Sequence, residues 1–141
     1  MALLRRRDPD VALLRDFSLF AGSSKALAER AIKDGQKVIL PDGRSVITEE
    51  QPGGAAYLVL DGRVRISRDG REIATLGPGQ LVGEVGLLSH RLRNATVTCV
   101  GPTTLLRWNW ETFATLRDED AAFRAAVDRL AEEHRMAPPE G

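Results

Sequence analysis

The spacing of apolar residues changes twice along this chain, and those two changes set what it can fold into. Ahead of Gln36 the spacing is helical. Val11, Leu13, Leu14 and Phe17 follow a capping Asp10, and Leu27, Ala28, Ala31 and Ile32 follow Ser23 or Ser24. Gly22 closes the first segment and Gly35 supplies a left-handed stop to the second. From Gln36 the period drops to two, in short runs: Val38-Ile39-Leu40, Val46-Ile47, Tyr57-Leu58-Val59-Leu60, Val64 and Ile66, Ile73, Leu81-Val82, Val97, and Leu105-Leu106. After Trp110 helical spacing returns. Phe113 and Leu116 suit a short helix, and Asp118 or Asp120 can cap a longer one whose stripe is Phe123, Ala126, Val127, Leu130 and His134.

Turn residues separate the short runs. Asp-Gly-Arg occurs at 42–44, 61–63 and 69–71, each time ahead of an apolar strand, because Asp-Gly supplies the positive-φ positions of a tight hairpin. Gly77-Pro78-Gly79 and Gly101-Pro102 are further breakers. Many short strands at close spacing predict a compact antiparallel barrel, and their irregular spacing excludes a solenoid. The organisation is a helical segment over 1–35, a barrel over 36–109 and C-terminal helices over 110–141, with no composition break that would mark a linker.

Several function classes drop out on composition. At 141 residues the chain is one domain. Lys plus Arg and Asp plus Glu both number 20, so the footprint expected of a nucleic-acid binder is missing. Cys99 has no disulfide partner, and His90 and His134 form no metal-ligand cluster. The longest apolar run, Ala55 to Leu60, is far short of the ~20 residues a membrane span needs. Arg5-Arg6-Arg7 is followed by Asp8-Pro9-Asp10 where a secretory signal would place its apolar region, so a cytoplasmic location is expected. Trp108 and Trp110 read as core or helix-docking residues, and Cys99 as a small strand hydrophobe.

The segment from Gly79 to Val97 carries the chemistry. Glycines on both sides of Glu84 allow close backbone approach to a ligand, and Glu84-Val85-Gly86-Leu87-Leu88 can form one helical turn with free N–H groups at its start, an anion site. Farther on, Arg93 offers a planar fork of donors suited to two phosphate oxygens. A carboxylate beside a phosphate needs its own donor, and a ribose hydroxyl supplies one. One nucleotide could satisfy both side chains.

Gly-Glu-x-Gly-Leu-Leu followed by Arg-Asn-Ala-Thr-Val closely resembles the phosphate-binding cassette of cyclic-nucleotide-binding domains, here residues 83–96. Pro41-Asp42-Gly43, Gly53, the run from Tyr57 to Val64 and Leu76-Gly77-Pro78-Gly79 resemble the family's upstream turns and strands. The resemblance implies a mainly β fold with flanking helices: an eight-stranded antiparallel jelly-roll barrel with N-terminal helices and two C-terminal helices. It implies that Glu84 accepts the ribose 2′-hydroxyl, that Arg93 pairs with the cyclic phosphate, and that backbone N–H groups of Val85, Gly86, Asn94 and Ala95 complete a cradle opened by Gly83. Ile66, Ala74 and Val82 match base-lining positions, and Phe123, Arg124, Val127, Arg129 and Leu130 are candidates for a lid over the base.

The chain departs from the family's pattern in two places. Glu49-Glu50-Gln51-Pro52-Gly53-Gly54 lacks one glycine and the aspartate of the usual loop, and Asn94 stands where Ala, Ser or Thr is usual. Gly86 for the commoner Ala is neutral. The leading expectation is a non-enzymatic receptor for cAMP, or cGMP, without a cofactor, that signals through its C-terminal helix to an effector on another chain or a removed domain, with that helix also a candidate homodimer surface. The alternative is an orphan interaction module that keeps the barrel without binding nucleotide. A cupin-like metal enzyme would need a His-rich strand motif that two isolated histidines do not provide.

Overall fold

Asp8, rather than Asp10, starts the first helix. Its side chain accepts from Asp10 N at 2.8 Å, and Pro9 takes the first helical position, where a missing N–H costs nothing. The computed structural model describes residues 8–47, 54–83 and 95–136. Helix α1 (Pro9–Asp16) ends at an extended Phe17, and a single 3₁₀ turn (Ser18–Phe20) follows, so the first segment closes well before Gly22. Ser24 caps α2 (Lys25–Asp34), accepting from Leu27 N at 3.1 Å.

Gly35 ends α2 but is not left-handed: its φ is −91° and its ψ 172°. Close approach explains the glycine instead. A Cβ there would stand 2.7 Å from the Ala31 carbonyl oxygen and 2.8 Å from both Leu106 Cδ1 and Trp108 Nε1. No larger residue lets α2 lie this near the sheet.

Six strands follow among the described residues: β1 (Gln36–Leu40), β2 (Ser45–Ile47), β3 (Ala55–Arg68), β4 (Arg71–Leu76), β5 (Leu81–Val82) and β6 (Thr96–Asn109). All pairings are antiparallel. Strand β6 pairs with β3 along most of its length, and each long strand changes its second partner midway. On β3 that partner is β5 at Tyr57 and Leu58, then β4 from Val64 to Arg68; on β6 it is β2 at Val97 and Thr98, then β1 from Thr103 to Arg107.

The three Asp-Gly pairs have three different fates. Asp69 (φ 54°) and Gly70 (φ 79°) form the expected two-residue hairpin between β3 and β4. Asp42-Gly43 makes a turn in which Arg44 N donates to Pro41 O, but β1 and β2 both pair with β6 rather than with each other. Asp61-Gly62 is no hairpin. It lies inside β3, where the register against β6 slips between Val59 and Arg63.

Gly101-Pro102, expected as a break, lies inside β6 opposite that slip. Gly62 (φ 93°) admits the Pro102 carbonyl and Thr103 so closely that a Cβ would stand within 2.9 Å of both. Buried Thr103 ties the crossing, its hydroxyl reaching Arg63 O at 3.1 Å and Gly101 O at 3.0 Å. Paired irregularities of this kind bend a sheet. Here they form the corner at which both long strands turn.

Two cores result. One holds Ile47, Val59, Val64, Val82, Val97 and Leu105, with Tyr57, Ile66 and Leu76 packed on it; it draws on all six strands and on no helix, so it is the space enclosed by the sheet. The other joins Ala56, Leu58, Leu81, Leu106 and Trp108, on the outer side of the sheet's first half, to the helices. Helix α3 (Trp110–Glu119) is capped by Asn109, and α4 (Ala121–Met136) by Asp120, whose Oδ1 accepts from Phe123 N at 2.9 Å. Trp108 is fully buried, and its indole N–H donates to Ala31 O at 2.9 Å. Trp110 does not share that role: as the first residue of α3 it is 37% exposed.

Candidate functional site

The described residues reach the cassette from both sides. Strand β5 is held to the first half of β3 by Tyr57↔Val82 and Leu58↔Leu81, and it ends at Gly83, whose φ of 91° is one that L side chains rarely adopt. On the other side Ala95 is buried and leads into β6, which pairs with the second half of β3 through Ser67↔Thr96 and Ile66↔Val97. Glu84, Val85, Gly86, Arg93 and Asn94 lie outside the described residues, as do His90 and the departing loop from Glu49 to Gly53.

The base-lining candidates come together. Val82 and Ile66 share the enclosed core, and half-buried Ala74 pairs across the strands with Ile66. Tyr57 and Leu76 belong to the same space and were not singled out from sequence. The alternation that would have exposed Tyr57 is hidden by the corner. Enclosed positions on β3 are Tyr57 and Val59 before it but Val64 and Ile66 after it, so the parity flips.

The lid candidates are elsewhere. Phe123 and Val127 are fully buried in the helix-side core, with Leu130 packed against it. Phe123 meets Phe20 at a ring separation of 5.2 Å and stands edge-on to Phe113 at 6.4 Å. Arg124 and Arg129 are exposed. The structure therefore gathers the apolar stripe of α4 into one layer and Ile66, Ala74 and Val82 into another, and does not bring the two groups together.

Among the described residues, one thiol on β6 has a shifted titration. Cys99 is 1% exposed on β6, and burial pushes its thiol up, with a hydrogen bond to Thr103 and the charge of Arg44 working in the opposite direction. No group of His, Cys, Asp and Glu among the described residues could hold a metal ion. No helix among them is long and apolar enough to cross a membrane.

A family profile described as Cyclic nucleotide-binding domain matches residues 37–120, which take in the six described strands apart from Gln36 and the whole segment 83–96. The chain belongs to that family. The cyclic AMP receptor protein of Thermus thermophilus is 36% identical over 93 residues, a match covering 62% of this chain and 43% of that protein. The solved catabolite activator protein of Thermus thermophilus superposes with a TM-score of 0.74 at 30% identity, over 82% of this chain and 57% of the other. The regulatory domain of Toxoplasma gondii PKA, solved with cAMP, gives 0.68 at 28% identity over 79% and 46%. The chain thus spans under half the length of the curated relatives it matches. The segment that resembles the family's cassette lies in sequence between β5 and β6, and its flanking residues Gly83 (φ 91°) and buried Ala95 are described.

Proposed function

We propose that this chain is a regulatory module that binds a cyclic mononucleotide, cAMP in the first instance, and carries out no bond-making. The observation that carries this reading is the sequence Gly-Glu-Val-Gly-Leu-Leu to Arg-Asn-Ala-Thr-Val set between β5 and β6, within the segment matched by the family profile. Arg93 supplies the counter-charge and bidentate fork for the cyclic phosphate, and Glu84 accepts the ribose 2′-hydroxyl. Backbone N–H groups of Val85, Gly86, Asn94 and Ala95 take the remaining phosphate oxygens, and Ile66, Ala74 and Val82 offer the base an apolar wall. The cyclic AMP named for the Thermus receptor and for the Toxoplasma regulatory domain supports cAMP as the first ligand to test. We read the sheet as the family's eight-strand jelly roll because β3 and β6 each exchange partners at the corner, so each counts as two strands.

Binding is transmitted through α4 in this reading. Its buried stripe already has a place in the helix-side core, so ligand shifts the balance between docked and displaced positions of α4 according to its relative affinity for the two. The exposed side of α4, with Arg124, Asp128 and Arg129, faces an effector or a second copy. Asn94 and the altered loop before Gly54 favour a second reading, an interaction module that no longer binds nucleotide. Thermal unfolding separates the two: ligand at a hundred times its Kd adds ~2.7 kcal/mol of stability. A rise in Tm with cAMP supports the receptor, and an unchanged Tm at millimolar cAMP and cGMP supports the interaction module.

A further inference from the structure

We propose that Tyr57 and Arg107 form a further polar contact for the ligand, at the sugar-phosphate end of a cyclic mononucleotide. The inference rests on the nucleotide reading and goes beyond it, since neither residue belongs to segment 83–96. The strand register places them on one row. Gln36 pairs with Arg107, Arg107 with Tyr57, and Tyr57 with Val82, so a single line of cross-strand neighbours runs over β1, β6, β3 and β5. Tyr57 and Val82 belong to the enclosed core, and Arg107 is on their side of the sheet because Leu105, two residues before it on β6, is enclosed as well. Side chains directly across a strand pair are in reach of one another, with Cβ atoms ~5 Å apart. The row ends at Val82, two residues before Glu84.

Both half-buried side chains carry polar groups that the fold itself does not use. Tyr57 is the one aromatic residue in an otherwise aliphatic core, and its hydroxyl has no hydrogen-bond partner among the described residues. A phenylalanine would pack as well, so the hydroxyl is a cost to the fold unless something bonds to it. Arg107 likewise has no ion pair or hydrogen bond among the described residues. A partly desolvated guanidinium without a counter-ion is a place for an anion. Beyond the corner the same space is bounded by Val64, Ile66, Ala74 and Val97, with no charge or hydroxyl among them. The enclosed space is thus polar toward the first half of the sheet and apolar toward the second, and a nucleotide fits it one way round. The base lies against Ile66 and Ala74, the Tyr57 hydroxyl donates to an oxygen of the sugar-phosphate, and Arg107 adds positive charge on the phosphate side.

Titration of the whole 141-residue chain with cAMP and with cGMP tests this. Tyr57→Phe keeps the ring and should weaken both ligands by the same factor, about three- to tenfold, the worth of one hydrogen bond made to a part the two ligands share. Arg107→Gln should weaken both by roughly threefold at low salt and by less at high salt, where the attraction is screened, and Arg107→Lys should recover most of that loss. Wild-type affinity in folded Tyr57→Phe overturns the proposal, and so does a loss confined to one of the two bases, since the hydroxyl would then read the base. A wild-type chain that binds neither nucleotide removes the nucleotide reading and this inference with it, whereas a binding wild type matched by both Tyr57→Phe and Arg107→Gln sinks this inference alone.

Discussion

Trp108 joins the sheet to the helices, and replacing it with Phe should cost more than any other single aromatic exchange in the molecule. The indole is fully buried, donates to Ala31 O at 2.9 Å, and lies 6.2 Å from the Phe113 ring and 6.4 Å from the Phe123 ring. Trp108→Phe deletes that donor. The Ala31 carbonyl keeps its second bond, from Gly35 N at 3.1 Å, so no acceptor is stranded and the lost bond is worth about 1 kcal/mol. The smaller ring leaves a gap between α2 and β6 that Gly35 cannot fill, adding about 1–2 kcal/mol. The sum, roughly 2–3 kcal/mol, corresponds to a fall in Tm of roughly 5–10 °C for a chain of this size. Urea unfolding read by circular dichroism should show a lower midpoint at an unchanged slope. Trp110→Phe is the internal control: at 37% exposure it should cost less than about 1 kcal/mol. Equal losses in the two variants would refute the assignment of Trp108 as the link between the layers.

Three further outcomes are expected. Arg93→Leu should weaken cAMP binding by roughly a hundred- to several-thousand-fold, since removing the partner of a buried charge costs ~3–5 kcal/mol, and Arg93→Lys should recover little of the loss; titration of the folded variants checks both. cAMP should bind more tightly than its 2′-deoxy analogue by an amount equivalent to about 1.5–3 kcal/mol, and Glu84→Gln should shrink that difference in competition binding. Cys99 has a raised thiol pKa in the fold, so its contribution to stability is fully present below the ordinary thiol range, near pH 8.5, and is lost as pH rises through the folded value; Cys99→Ala should flatten the decline seen in unfolding measurements from pH 7 to 10.

Local signals reached the ends of elements better than the long-range contacts. Ser24 and Asp120 cap helices because a short oxygen-bearing side chain before a helical stripe has one favourable use, and Asp69-Gly70 turns a hairpin because both residues tolerate positive φ. The same dipeptide at Asp61-Gly62 sits inside a strand. What decides its fate is the approach of Pro102 and Thr103 from β6, forty residues away in sequence, and nothing beside Gly62 records that approach. Gly35 misleads in the same way, being glycine for closeness to Leu106 and Trp108 rather than for a left-handed stop. The cassette was legible as a pattern in sequence, and of its residues the structure describes the flanks Gly83, Ala95 and Thr96. The docking of α4 was not. An apolar stripe states that a helix must be covered, but the choice between the base and the Phe20–Trp108 layer belongs to the tertiary fold.

Calorimetric titration of the 141-residue chain with cAMP, beside cGMP and a cyclic dinucleotide, tests the central claim most directly. The account predicts saturable one-site binding of cAMP, weaker binding of cGMP, none of the dinucleotide, and loss of the cAMP signal in an Arg93→Leu protein that retains its circular dichroism. No heat and no competition at millimolar cAMP with the wild-type chain, or full cAMP affinity in folded Arg93→Leu, would contradict it.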